Sequence, residues 1–165
     1  MKTAEEWINQ LNLTAHPEGG FYKETYRSKE IISVDGLPDR FTGARNFSTA
    51  IYFLLRSRDC SMFHRIKSDE LWHFHDGSAL TIYILNEDGL TGKKLGPHPE
   101  HGESLQVVIP ANCWFGALVN DAESFTLSGC TVAPGFDFND FELADREKLL
   151  KEYPDHAAII TRLSK

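Results

Sequence analysis

From residue 48 to residue 132 the chain alternates short apolar runs with clusters of turn-forming residues. The runs at 48–56, 61–66, 69–75, 79–86, 103–109, 114–119 and 124–132 are predicted strands, separated by "SRD", "DGS", "NEDGLTG", "PAN" and "NDAE". Strands so closely spaced, with no helical pattern between them, predict a sandwich or barrel rather than a parallel α/β sheet. Two of them, "TAIYFLL" and "ALTIYIL", are apolar on both faces. A half-exposed strand should alternate, so these two predict a second covering layer. A partner subunit packed sheet against sheet would supply it, and a homodimer is the expectation.

The flanks follow other rules. Thr3 and Glu6 read as a capping box, and Trp7, Ile8 and Leu11 recur on one face, which predicts a helix over about 4–12. "HPEGG" (16–20) is a turn, since proline restricts its predecessor and paired glycines permit unusual backbone angles. "FYKETYRS" (21–28) alternates as a strand does, and 33–46 reads as a loop or loosely paired hairpin. After "GCTVAPGFDFNDFELA" the pattern turns helical: Asp145 can cap "REKLLKEYP", and Ala157, Ile160 and Leu163 suggest a last amphipathic turn or two. No repeat or linker divides residues 1–165. The expected fold is therefore a single all-β domain with short N- and C-terminal helices.

Composition narrows the function. At 165 residues and 41% hydrophobic the chain can bury a proper core. No apolar run approaches a membrane span. The start, "MKTAEEWINQLNL", lacks the basic end and apolar core of a secretory leader, so a cytoplasmic protein without membrane contact is expected. Net charge is −7 with no Lys/Arg cluster, which argues against a nucleic-acid surface. It leaves room for a small anionic ligand held by one or two arginines. Cys60, Cys113 and Cys130 are odd in number and widely spaced, and read as buried thiols rather than a disulfide frame or a zinc knuckle.

The chemistry concentrates in "FHRIKSDELWHFHDG" (63–77). His64, Ile66, Glu70 and Gly77 match the spacing of the first cupin motif, whose two histidines and glutamate point into a small barrel and hold a divalent metal. A later motif supplies a fourth histidine; "PANCWF" (110–115) stands in its place, with Asn112 at its glycine and Phe115 at its histidine. Ile66 occupies the second histidine position. Two of four ligand positions are thus apolar, and one histidine with one glutamate makes a weak mononuclear site. His73 and His75 could replace the missing ligands, but strand alternation turns them away from Glu70, Trp72 and Phe74 unless a bulge intervenes. Without metal, His64 could move a proton near neutral pH, with Glu70 orienting it or acting as its partner. Arg65 and Arg27 could clamp a carboxylate or phosphate. The plainer reading is a buried His64–Glu70 polar pair and a surface ion pair at Arg65.

"HPEGGFYKETYRS" (16–28), "STAIYFLL" (48–55), the 63–77 stretch, "LQVVIPANCWFGA" (105–117) and "GCTVAPGFDFNDFELA" (129–144) together resemble the sequence blocks of one cupin-superfamily branch. That branch is uncharacterised in function and similar in fold to dTDP-4-dehydrorhamnose 3,5-epimerase. The resemblance implies a double-stranded β-helix, the cupin jelly roll, usually homodimeric, with a pocket between its sheets for a small polar ligand. It places His64, Glu70, Trp72, Tyr83, Gln106 and Trp114 around that pocket, with His73 undecided. Glu18, Tyr22, Glu24 and Arg27 would border its mouth. Similar epimerases use a His base and a Tyr acid on a sugar nucleotide and need no metal. Here the base would be His64 and the acid Tyr83, Tyr52 or Tyr22. Three functions are open on this basis: a metal-independent isomerase or epimerase acting on a sugar or nucleotide-like ligand through His64 and Glu70; a dioxygenase or lyase with a divalent metal on His64 and Glu70; or a non-catalytic binding module. "GCTVAPGFDFNDFELA" reads as a core-closing segment rather than a ligand box. "HPEGG" reads as a tight turn rather than an anion-binding nest.

Overall fold

The structure is a computed structural model and describes residues 2–165. The chain begins with α1 (Ala4–Leu11), β1 (Thr14–Ala15), β2 (Phe21–Arg27), β3 (Ile31–Ile32) and β4 (Arg45–Asn46). Then come β5 (Thr49–Arg56), β6 (Ser61–Arg65), β7 (Asp69–Gly77), β8 (Leu80–Asn86) and β9 (Gly89–Leu95). The last strands are β10 (Glu103–Ser104), β11 (Gln106–Ile109), β12 (Trp114–Val119), β13 (Phe125–Ala133) and β14 (Glu142–Leu143), before α2 (Arg146–Glu152) and α3 (Ala157–Arg162). No described helix is long and apolar enough to cross a membrane.

Two six-stranded sheets face each other, ordered β1-β2-β5-β13-β7-β11 and β10-β9-β8-β12-β6-β14. Inward residues from both, among them Phe53, Trp72, Ile82, Val107 and Phe115, form the largest core cluster. This is the expected jelly-roll sandwich, in which alternate side chains of each strand meet across the gap between sheets. The α1 helix carries the expected capping box between Thr3 and Glu6, and Asp145 caps α2.

Three expectations change. Gly89–Leu95 is a strand paired with β8, not part of a turn; two glycines and two lysines hide its alternation. The run 103–109 divides at Leu105, so that β10 joins one sheet and β11 the other. The covering layer comes from the chain itself. α1 lies over Leu54 and Leu127 on the outside of the first sheet, while α2 and α3 cover Phe63, Leu85, Trp114 and Leu118 on the outside of the second. Strands apolar on both faces are therefore explained without a partner.

A buried ion pair fixes the segment after β13. Asp140 accepts two 2.6 Å hydrogen bonds from Arg45, and both side chains are buried. Removing Asp140 would leave the buried Arg45 charge without its counter-ion, whereas Asp140 also has Lys67 at 3.6 Å, so this pair pins the segment firmly. Phe136, Phe138 and Phe141 are thereby held in mutual edge contact at one end of the sandwich.

A candidate acid–base site between the sheets

The "HPEGG" turn builds one wall. Gly19 and Gly20 adopt φ of +108° and +76°, and a Cβ at Gly19 would collide with the carbonyl of Cys60. Only glycine lets the turn lie this close to β6. The turn is then fastened by hydrogen bonds from His16 N to Gly20 O (3.0 Å) and from Met62 N to Glu18 O (2.8 Å). Glu18, a carboxylate that would normally seek water, is left 5% exposed between the sheets.

Its partners come from β6. Between the pairs Phe115↔His64 and Ala117↔Ser61, β6 advances three residues while β12 advances two. That extra residue is a bulge, and it turns Ser61 and His64 to the same side despite their odd spacing. Ser61 Oγ donates to Glu18 Oε1 at 2.8 Å, and His64 Nε2 lies 2.9 Å from Glu18 Oε2. His64 Nδ1 lies 2.7 Å from the carbonyl of Met62. A carbonyl can only accept, so Nδ1 carries a proton. Nε2 faces a carboxylate and carries the second. The ring is an imidazolium in a buried ion pair.

The acidities agree with this assignment. Burial pulls the His64 pKa down, but the charge and hydrogen bond of Glu18, with help from Glu70 and the Met62 carbonyl, carry it above the usual histidine value. Burial likewise pushes Glu18 up, and the charge and hydrogen bond of His64, then His16 and Ser61, bring it below the usual carboxylate range. His16 takes the opposite state. Its Nδ1 accepts the backbone N–H of Glu18 at 3.2 Å, and burial, opposed by Glu18, lowers its pKa. The ring is neutral, so its 3.5 Å approach to Glu18 Oε2 is not a salt bridge.

Glu70 faces this pair from β7. Trp72, two residues along and so on the same face, donates Nε1–H to Glu70 Oε1 at 2.9 Å. Glu70 is 8% exposed, and burial, partly offset by the His64 charge, pushes its carboxyl up to about 7. Cys130 sits across from Trp72, and its thiol is driven well above the ordinary thiol range by the same burial. It behaves as core packing rather than as a nucleophile. Cys60 and Cys113, expected to be buried as well, are only half-buried.

These groups line a cavity of about 330 Å³, at the small end of ligand-binding pockets. Ile51, Ile66, Phe53 and Val132 supply apolar walls, and Phe136, Phe138 and Phe141 line it from the segment after β13. Tyr22 also lines it, in edge contact with His16 at 4.5 Å. At the mouth Arg27 donates to both oxygens of Glu24, to Asn46 Oδ1 and to the carbonyl of Phe136. It acts first as a clasp between β2 and the aromatic segment.

Of the residues expected around the pocket, the structure brings His64, Glu70, Trp72, Tyr22, Glu24 and Arg27 together. Others lie outside it. Arg65 points outward from β6, pairs with Glu142 at 2.8 Å and covers the Trp114 ring at 4.3 Å. Trp114 and Tyr83 pack under the C-terminal helices, on the other face of their sheet. Tyr52 packs with α1 on the outside of the first sheet. Gln106 is exposed and paired opposite His73, whose Nε2 lies 3.3 Å from Thr131 Oγ1 on that same outer face. Strand alternation turns both away from Glu70. His75 falls at a bulge between the Ser128↔Phe74 and Leu127↔Asp76 pairs and is exposed. His16 and Ser61 were not expected here, and Glu18 lies deep rather than at the mouth. The aromatic segment, expected to close the core, lines the cavity instead: Phe136, Phe138 and Phe141 are among its walls and belong to none of the core clusters.

The donors themselves decide whether the cavity suits a metal. Ile66 lines it at one ligand position, and the Phe115 ring lies 4.0 Å from the His64 ring at another. Both nitrogens of His64 already have partners. Among the described residues, no three potential ligand atoms in this cavity lie within 4.8 Å of one another. This donor set does not fit a mononuclear metal.

A double-stranded jelly roll with a cavity between its sheets, lined from the positions of the first cupin motif, defines a cupin. The chain belongs to the Cupin superfamily (DUF985) family, which matches residues 5–144. Protein SO0799 of Shewanella oneidensis is 42% identical, with a TM-score of 0.88 over 100% of this chain and 99% of that one. A hypothetical protein from Leishmania major is 34% identical, with a TM-score of 0.88 over 99% of each chain. The uncharacterized protein YML079W of Saccharomyces cerevisiae is 29% identical over 97% of this chain and 85% of its own length.

Proposed function

We propose that this cupin binds a small polar molecule, a sugar or nucleotide-like ligand, and isomerises it by moving a proton without a metal. Glu70 is the proton carrier. The observation that carries this reading is a cavity-lining carboxyl, oriented by Trp72 and held by burial at about 7. A general acid or base works best with a pKa near the operating pH. The roles differ from those expected of the sequence: His64 has no ring nitrogen left to offer. Its imidazolium instead places a fixed positive charge near the reacting end, where negative charge on a ligand oxygen would develop.

As carboxylate, Glu70 takes the proton from a carbon beside a carbonyl, and the electron pair moves onto the carbonyl oxygen. Glu70 then returns the proton to the former carbonyl carbon, while the hydroxyl proton of the first carbon passes to the former carbonyl oxygen. The carbonyl thus moves by one carbon, and atoms and electrons balance. An epimerase needs a second donor on the opposite face, and Tyr22 is the cavity tyrosine. Incubation in D₂O with a panel of keto sugars, sugar nucleotides and 2-oxo acids tests this by mass spectrometry. Deuterium entering one of them at a single carbon is the expected result. A ligand that binds saturably yet never gains deuterium would leave a binding module in place of an enzyme.

A homodimer belongs to the same proposal and rests on a limited area. Beyond the cover of α1, the first sheet's outer face carries exposed Val108 and half-buried Leu71 and Thr131, with exposed Leu105 at its edge. A second copy packed sheet against sheet would bury them. Light scattering at micromolar concentration should give twice the chain mass, and Val108→Glu should shift it toward the monomer. A monomeric mass for the unaltered protein would sink the idea.

A further inference from the structure

Away from the cavity, the short turn Pro99–His101 brings His98, Glu100 and His101 together, each offering a ligand atom within 4.8 Å of the others. We propose that this turn is a binding site for a divalent transition-metal ion, with two imidazoles and one carboxylate as protein ligands. Water would fill the remaining positions.

The turn is pre-shaped. Glu103 Oε2 accepts the backbone N–H of His98 at 2.9 Å, and His98 O accepts that of His101 at 2.9 Å. Pro99 fixes the first position and Gly102, at φ +75°, closes the turn. The His98 and His101 rings lie 5.4 Å apart, and His98 Nδ1 is 3.1 Å from Glu100 Oε1. All three side chains are exposed, so small rotations can bring the donors to metal-ligand distances and an ion can enter freely. Both histidines border a polar hollow of about 460 Å³ that shares no lining residue with the acid–base cavity.

Ligand type sets the class of ion. Two imidazoles with a carboxylate suit zinc, nickel or copper and disfavour magnesium and calcium, which prefer all-oxygen shells. The turn lies apart from the cupin-motif positions on β6 and β7, and its fate is independent of the proton-transfer reading.

Untagged protein titrated calorimetrically with zinc chloride should take up one equivalent with micromolar affinity, and magnesium chloride should give no comparable uptake. The double variant His98→Ala/His101→Ala should weaken zinc binding by more than about tenfold. Its metal-free melting temperature should match that of the unaltered protein. The control double variant His73→Ala/His75→Ala should keep the site. With one equivalent of Cu²⁺, electron paramagnetic resonance should show hyperfine coupling to two imidazole nitrogens. Undiminished zinc binding by the His98/His101 variant, no uptake by the unaltered protein, or loss of binding in the His73/His75 variant would each overturn the assignment.

Discussion

Replacing Glu70 by glutamine is expected to make the protein inactive and, at pH 8, more stable. The stability effect comes from the proton. In the unfolded chain the carboxyl ionises around its ordinary value of 4.5, whereas in the folded protein burial holds it to about 7. Below 4.5 both states are protonated and Glu70 costs nothing. Between 4.5 and 7 the unfolded state loses its proton first, so folding stability falls as pH rises through that window. The accumulated loss is about 3 kcal/mol above pH 7. Glutamine keeps an acceptor for Trp72 and cannot ionise, so the variant escapes the loss. Its melting temperature should exceed the unaltered protein's by roughly 6–12 °C at pH 8 and match it near pH 4.5. Deuterium exchange should drop by roughly 10²- to 10⁴-fold. A stability gap equal at both pH values would show that the folded protein does not keep this carboxyl protonated.

Glu18→Ala should do the reverse. It removes the acceptor shared by Ser61 and His64 and leaves a buried imidazole facing empty space. Breaking a buried ion pair from one side costs about 3–5 kcal/mol, a large share of a typical domain's stability. The pH profile has its own sign. Glu18 is depressed, so its contribution is present above the ordinary carboxylate value and is lost as pH falls through the folded value. His64 is raised, so its contribution is present below the ordinary histidine value and is lost as pH rises through the folded value. The gap between the two proteins should therefore be widest between these limits and close at both ends. Nitrogen NMR gives a second measure. The His64 ring should show two protonated nitrogens in the unaltered protein at pH 7 and one in the variant. Identical ring spectra would refute the ion pair.

How much of this could be read from the chain depended on sequence distance. The strand Trp114–Val119 was legible to the residue, because its apolar run is flanked by Asn112 and Asn120 in turns. The strand Gly89–Leu95 was not, because its lysines and glycines carry no alternation. Glu70 beside Trp72 was legible too, since two residues along one strand share a face. The pairing of His64 with Glu18 joins distant parts of the chain and depends on a bulge in β6 and a two-glycine turn. Regular alternation would have put Ser61 and His64 on opposite faces. The one available signal was "HPEGG" itself, a charged residue set beside two glycines. The resemblance put Glu18 of that turn at the pocket mouth, and reading the turn as a tight reversal missed that it carries this carboxylate between the sheets.

The Phe115 ring against His64 bears on redesign. Placing histidine at 66 and 115 would not by itself convert the pocket into a metal centre. His64 would still hold both its protons for Met62 and Glu18, and a positively charged ring repels a cation. Gaining a metal here would require dismantling the Glu18 pairing as well, and with it part of the anchorage of the N-terminal turn to β6. In this pocket a designed metal centre would have to replace a whole linked set of contacts rather than supply two missing ligands.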